Sequence, residues 1–265
     1  MTPVRREGYK FCQDICIPCY DTDARANLRP SAFMDFAQEI AYWAASELGF
    51  GYDTLHVHHT AWVLTRMHIH FEDPLKWRDN VTLYTWHKGA SGLFYLRDFD
   101  LRDASGRSRV KATSSWVVID EQTRRMVRPE DLQSLLDPDM KVDDAIPEPA
   151  QKIVLPKGDS RSESGMTVVE SGMAENNSGM TGEHTVSYSD LDINGHTNNS
   201  RYVVWAMDCL PKEVTDSPVK DLYINFIKET LPSDNVQLTA HRDGSTWFVE
   251  GKVGEKTCFL VKACF

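Results

Sequence analysis

Hydrophobic positions change their period along this chain, and the changes mark its elements. Between Pro30 and Gly49, the residues Phe33, Phe36, Ala37, Ile40, Ala41, Ala44 and Leu48 return every three or four positions, as one face of an α-helix does. Pro30 suits a first helical turn, where its missing N–H is no loss, and Gly49 is a natural stop. Ahead of the helix, Phe11 to Tyr20 alternates like a strand and runs into the polar turn Asp21 to Asn27. After the helix the period falls to two. Trp62–Phe71, Asn80–Trp86, Leu93–Leu101 and Val110–Ile119 read as strands, parted by Glu72-Asp73-Pro74 and Asp103-Ala104-Ser105-Gly106. One long helix followed by antiparallel strands is predicted.

From about Asp137 the composition shifts. Asp143-Asp144-Ala145-Ile146-Pro147-Glu148-Pro149 leads into a Gly/Ser-rich stretch expected to be an exposed, mobile linker. Ser164-Gly165-Met166, Ser171-Gly172-Met173 and Ser178-Gly179-Met180 recur there every seven residues, and the glycine in each argues against a coiled coil. No role is assigned to that repeat. Beyond it the first half returns at an offset of 169 residues: Asp23 meets Asp192, Asn27 meets His196, Ser31 meets Ser200, Phe33 meets Tyr202 and Ala37 meets Ala206. Asp79-Asn80-Val81 likewise meets Asp234-Asn235-Val236, with Ile69 and Phe71 answered by Ile224 and Phe226. The expected organisation is two copies of one helix-plus-sheet unit, residues 1–140 and 183–265, joined by a linker over 141–182.

Composition narrows the function classes. The 265 residues suffice for a substantial core, and a net charge of −10 argues against binding nucleic acid through bulk electrostatics. No apolar run approaches a membrane span, and Met1-Thr2-Pro3-Val4-Arg5-Arg6-Glu7 lacks the apolar core of a signal peptide, so a cytoplasmic protein is expected. Cys12-x3-Cys16-x2-Cys19 has the spacing of an iron–sulfur ligand set. Its strand-like alternation divides the cysteines between faces, and no βα barrel pattern follows, so neither cofactor nor metal is expected.

The densest chemistry lies in Ser189 to Asn199, where a carboxylate, a carboxamide and an imidazole stand two residues apart at Asp192, Asn194 and His196. A second helix follows with Tyr202, Val203, Ala206 and Leu210 before Pro211, and Asn198 or Asn199 is its cap. Polar side chains at a helix start favour developing negative charge, as on the oxygen of an attacked carbonyl; the competing reading is an Asx-rich loop. The first copy has Arg25 and Asn27 where the second has Asn194 and His196, so only the second half is expected to be catalytic.

Asp190-Leu191-Asp192-Ile193-Asn194-Gly195-His196-Thr197-Asn198-Asn199 resembles the DLDxNxHxNN signature of plant and bacterial acyl-acyl carrier protein thioesterases. Val63-Leu64-Thr65-Arg66-Met67, Ser114-Ser115-Trp116-Val117-Val118 and Thr123-Arg124-Arg125 are similar to segments of that family in the same order. The resemblance implies an α+β double hotdog, in which each helix is wrapped by a curved antiparallel sheet and the two sheets pack side by side. It implies hydrolysis of fatty acyl-acyl carrier protein thioesters, with catalytic residues Asp192, Asn194, His196 and, in Phe226-Ile227-Lys228-Glu229-Thr230, Glu229. Many plant members carry a cysteine where this chain has Thr230. A threonine hydroxyl is too weakly acidic to replace a thiolate without a dedicated base, which favours water activated by a carboxylate. Glu229 is then the expected base, with Asn194, His196 and N–H groups at the helix start polarising the carbonyl and His196 protonating the departing thiolate. Asp192 orients Asn194 or His196, or is itself the base.

For the acyl chain, a tunnel is expected along Phe33, Phe36, Ile40, Ala41 and Ala44, with Ala37, Ala41 and Ala44 leaving room. Acyl carrier protein is the expected transient partner, with neither nucleic acid nor membrane, and a homodimer is left open. Because that carrier is acidic, docking is assigned to Arg124, Arg125 and Arg128 or to Arg102, Arg107, Arg109 and Lys111. The rival functions are an acyl-CoA thioesterase of the same fold and a non-catalytic acyl-thioester sensor.

Overall fold

Two helices, each laid against antiparallel strands, set the positions of everything else in the computed structural model, which describes residues 2–127, 142–156 and 180–265. In the first half, β1 (Arg5–Glu7) and β2 (Lys10–Cys16) precede α1 (Pro30–Glu47) and the short α2 (Tyr52–Val57). The strands β3 (Thr60–Phe71), β4 (Asn80–Ser91), β5 (Phe94–Asp103), β6 (Ser108–Asp120) and β7 (Met126–Val127) follow. The second half repeats the plan with β8 (Met180–Thr185), α3 (Asn199–Asp208), the four-residue α4 (Lys212–Thr215), β9 (Asp221–Phe226), β10 (Asn235–Asp243), β11 (Thr246–Val253) and β12 (Lys256–Cys264). Pro30 opens α1, and Phe33, Phe36, Ala37, Ile40, Ala41 and Ala44 form its buried face. The first strand stops at Cys16, earlier than the alternation implies, because a 3₁₀ turn over Cys19–Asp21 takes over after Pro18. Conversely β4 runs on to Ser91 through a bulge between His87 and Gly89, where Gly89 takes φ +110°.

The strands run β1-β2-β4-β5-β6-β3-β9-β12-β11-β10-β8, with β7 on β6, and each pairing is antiparallel. The two sheets are thus joined into one. β3 of the first half pairs with β9 of the second from Arg66 opposite Asn225 to His70 opposite Asp221. Beneath this seam a single apolar cluster holds Phe33, Ile40 and Met67 together with Tyr202, Trp205 and Phe259. At the seam's end His68 Nε2 and His70 Nδ1 lie 2.8 and 3.0 Å from the Asp221 carboxylate, and the His68 ring stacks on Tyr223.

Residues 142–156, ahead of and at the start of the Gly/Ser-rich stretch, are tied to both halves. Ala145 N–H donates to Asp98 Oδ2 at 2.8 Å, beside the buried pair of Lys88 Nζ and Asp98 at 3.3 Å. Further on, Ile153 N–H donates to Asn225 Oδ1 at 2.7 Å, and Asn225 Nδ2 donates to the Gln151 carbonyl at 3.0 Å. Ile153 also packs with Phe248 and Leu260. The segment starts on the first half and ends on the second, because each half offers a buried polar side chain for its backbone. The Ser-Gly-Met repeat up to Gly179 and Arg128 lie outside the described residues.

Candidate active site

The loop before α3 has a counterpart before α1 that matches it almost bond for bond. Asp192 Oδ1 accepts from the backbone N–H of Asn194 at 2.8 Å and of His196 at 3.3 Å, and Asp192 N–H donates to the His196 carbonyl at 2.8 Å. In the first half Asp23 Oδ1 accepts from Arg25 and Asn27 N–H, both at 2.8 Å, and Asp23 N–H donates to the Asn27 carbonyl at 2.8 Å. Gly195 sits in the left-handed region at φ +73°, and Ala26, its counterpart, at φ +62°. The aspartate is therefore the tie of an Asx turn in both copies. What differs is the cargo, an asparagine and a histidine in one copy and an arginine and an asparagine in the other.

A second aspartate anchors the loop from below. Asp190, fully buried, accepts from Ser187 N–H at 2.9 Å, Ser187 Oγ at 3.0 Å and Arg201 Nε at 3.1 Å, and lies 2.9 Å from His184 Nε2. Burial alone raises its pKa, but the hydrogen bonds from His184, Ser187 and Arg201 prevail and bring the carboxyl down to about 2. Asn198 caps α3 by accepting from Ser200 N–H, and Gln38 of α1 bridges the helices, donating to Asn198 Oδ1 at 3.3 Å and accepting from Asn199 Nδ2 at 2.8 Å.

These caps alter one expectation. The N–H groups of Thr197, Asn198, Ser200 and Arg201 donate to Thr230 O, Asp190 O, Asn198 Oδ1 and Asn198 O respectively. The helix start has thus spent most of its donors on its own cap, while the side chains of Asn194 and His196 stand at the cavity beside it.

Glu229 reaches the loop from beyond the end of β9. Its Oε2 lies 3.4 Å from His196 Nδ1, and both side chains keep about a third of their surface exposed, 34% and 38%. The same oxygen accepts from Arg124 of the turn after β6. That turn is built by Asp120, whose Oδ1 accepts from Thr123 N–H at 2.7 Å and Oγ1 at 2.8 Å, and Arg124 itself takes φ +58°. Arg124, one of the cations named for docking, pairs its guanidinium with Glu229. Nothing local in sequence announces that pairing.

Thr230 points away from this constellation. Fully buried, it shares a 2.6 Å hydrogen bond between its Oγ1 and that of Thr197 and a 3.1 Å bond with the Tyr202 hydroxyl, while its N–H donates to Tyr202 at 3.0 Å. The hydroxyl is a lock between β9's extension and the helix α3.

A cavity of about 1050 Å³ opens at Asp192, Asn194, His196 and Glu229 and extends into the first half. Ala41, Ala45, Phe50, Leu55, Trp62 and Trp116 line its apolar walls. The tunnel expectation is thus shifted along α1. Ala41 faces the cavity, whereas Phe33, Phe36, Ala37, Ile40 and Ala44 are filled in among core side chains at 0–2% exposure. The cations of the second set named for docking are all paired within the chain. Arg102 pairs with Asp100 at 2.6 Å, Arg107 with Asp73 at 2.5 Å, Arg109 with Asp103 at 3.3 Å and Lys111 with Glu72 at 3.6 Å, so each cation has a carboxylate beside it. Cys12 is buried while Cys16 and Cys19 are exposed.

A helix wrapped by an antiparallel sheet, present twice and joined edge to edge with one polar loop at a cavity mouth, defines the double hotdog class of α+β proteins. Within that class the chain belongs to the acyl-acyl carrier protein thioesterase family: the family's N-terminal domain matches residues 8–134 and its C-terminal domain residues 173–256. Among similar proteins, oleoyl-acyl carrier protein thioesterase 2, chloroplastic, of Arabidopsis thaliana is 26% identical over 87% of this chain and 62% of its own length. The chloroplastic palmitoyl-acyl carrier protein thioesterase of Gossypium hirsutum is 28% identical over 96% of this chain and 60% of its own. The chain therefore spans about three fifths of the length of these curated relatives. In structure it is similar to the 12:0-ACP thioesterase from Umbellularia californica, with TM-score 0.81 and 22% identity over 98% of both chains. It is also similar to an acyl-ACP thioesterase from Bacteroides thetaiotaomicron VPI-5482, with TM-score 0.76 and 21% identity over 97% of this chain and 98% of the other. Among the described residues no helix is long and apolar enough to cross a membrane.

Proposed function

We propose that this protein hydrolyses fatty acyl-acyl carrier protein thioesters to free acid and carrier protein by attack of water. The reading is carried by one observation: residues 33 positions apart, His196 and Glu229, come within 3.4 Å at the mouth of an apolar cavity large enough for an acyl chain. Glu229 removes a proton from water as it adds to the thioester carbonyl, and Arg124 holds that carboxylate in position. The Asn194 amide and the His196 ring stabilise the oxyanion, and His196 delivers the proton to the departing thiolate. Asp192 is a positioning residue, since its Oδ1 is occupied by the two amides that shape the loop.

The family membership supports acyl carrier protein as the partner, reached by a cytoplasmic enzyme. Glu229→Gln measured by thiol release on acyl carrier protein thioesters is expected to lose about 10²- to 10⁴-fold in kcat with little change in Tm. Retention of the wild-type rate by this variant would refute the assignment. Comparing kcat/KM on acyl carrier protein and coenzyme A thioesters decides between the carriers, and a higher value on coenzyme A would replace the proposed one.

A further inference from the structure

The cavity is built from both halves, and one polar side chain joins its apolar wall to its reacting loop. On α1, Gln38, Ala41, Tyr42 and Ala45 stand at helical spacing, and all four line the cavity. Ala41 and Ala45 belong to the apolar wall; Gln38, at the N-terminal end of the stripe, reaches across to the start of α3. The sense of its bonds there is fixed by the helix cap. Asn198 Oδ1 accepts from Ser200 N–H at 2.9 Å, so that atom is the amide oxygen, and Gln38 turns its Nε2 toward it at 3.3 Å. Gln38 Oε1 is thereby aimed at Asn199, whose Nδ2 donates to it at 2.8 Å. Asn199 lines the cavity together with Asn194, His196 and Glu229. One carboxamide of the first half thus grips both residues that open the helix behind the reacting loop.

The other crossing of the same two helices shows what packing alone requires. At the offset of 169 residues that relates the halves, Gln38 corresponds to Met207 of α3, and Asn198 and Asn199 correspond to Arg29 and Pro30 at the start of α1. Arg29 makes no side-chain cap, Pro30 has no N–H to offer, and Met207 packs against the apolar core. A thioether at that place closes the helix pair without a polar bond. The carboxamide bridge stands on the side that carries Asn194 and His196, where the first copy has Arg25 and Asn27. Its presence follows the chemistry of the two copies and not their common packing.

We propose that Gln38 is a positioning residue for the hydrolysis, acting through Asn199 and Asn198 to hold the loop of the second half in register with the chain-binding wall of the first. This rests on the thioesterase reading. A substrate whose chain lies along Ala41, Ala45 and Trp62 has its carbonyl placed by the first half, whereas Asn194, His196 and Glu229, which act on it, belong to the second. A slip between α1 and α3 therefore becomes an error between the carbonyl and its attackers, and about 1 Å of such error can cost about 10²-fold in rate. Within the second half, Thr197 and Thr230 lock the loop to the extension of β9. From the first half, Arg124 holds Glu229 and Gln38 holds the helix start that follows His196.

The test measures thiol release from acyl carrier protein thioesters, with Tm alongside, for the wild type, Gln38→Met, Asn199→Ala, the double variant and Met207→Gln. Gln38→Met installs the residue of the other crossing and nearly conserves volume, so little change in Tm is expected. It should lose about 10- to 10²-fold in kcat with KM within about threefold, because the apolar wall that binds the chain is intact. Asn199→Ala should lose a similar factor, and the double variant no more than the larger single loss, since both changes break one relay. Asn199→Ala also tests the relay from its other end if Gln38→Met does not fold. Met207→Gln should keep the wild-type kcat. Wild-type kcat in Gln38→Met or in Asn199→Ala, multiplication of the two losses in the double variant, or an equal loss in Met207→Gln overturns the proposal and leaves the thioesterase reading standing. A folded wild type that releases no thiol from any of the thioesters overturns both.

Discussion

Replacing Thr230 by valine separates a structural hydroxyl from a reacting one. The change keeps the size of the side chain and removes Oγ1, which bonds Thr197 at 2.6 Å and Tyr202 at 3.1 Å in a fully buried place. Two net hydrogen bonds at about 1 kcal/mol each are lost. The Tyr202 hydroxyl still accepts from the Thr230 N–H at 3.0 Å, but its own proton loses its acceptor, adding about 1 kcal/mol. The added methyl returns about 0.8 kcal/mol of apolar burial. The net loss is about 2 kcal/mol, or a fall in Tm of ~4–8 °C for a chain of this size. Calorimetry measures the shift, and thiol release at 20 °C, below the transition, measures kcat, expected within several-fold of wild type. Thr230→Cys is expected to gain nothing, since its thiol would point into the same lock. A loss of 10²-fold or more in kcat with Tm unmoved, or a faster Thr230→Cys, would show that this position takes part in bond making and refute the reading of a lock.

Two further outcomes follow from the same geometry. Asp190 is held at a pKa of about 2 against an ordinary 3.8, so its contribution of about 2.5 kcal/mol is present above pH 4 and lost as the pH falls from about 4 to about 2; in urea titrations the stability gap between wild type and Asp190→Asn should close over that window, and a gap constant with pH would count against it. Ala41→Leu, on the cavity wall, should shift preference to shorter acyl groups with Tm little changed, whereas Ala37→Leu, in the filled core, should cost about 1–3 kcal/mol in a denaturation assay and leave chain-length preference alone; equal behaviour of the two would mean the wall is placed wrongly.

What could be read in the sequence was what depends on near neighbours. The loop from Asp190 to Asn199 was legible because Asp, Asn and Gly carry their turn chemistry within five residues, and the helix because its period and Pro30 are local signals. Its repetition was harder to see at Ala26, where an alanine takes the left-handed turn that Gly195 takes in the second copy. The role of Asp192 was visible only once its twin Asp23 showed the same bonds around a different pair of side chains. Long-range facts left no trace. Arg124 meets Glu229 across 105 residues, β3 finds β9 without a turn between them, and residues 142–156 are held by Asp98 and Asn225, which look in sequence like ordinary strand polar positions.

The seam between β3 and β9 changes what the covalent connection between the halves is for. Backbone pairing from Arg66–Asn225 to His70–Asp221 and a core drawn from both copies hold the halves together without the peptide chain that runs between them. The connection supplies an address, ensuring that each first half meets a second one in the right order, while cohesion comes from the seam. Two separately made fragments that each kept their own strands would carry the seam and the shared core through which to find one another, one bringing the apolar wall of the cavity and the other the polar loop at its mouth.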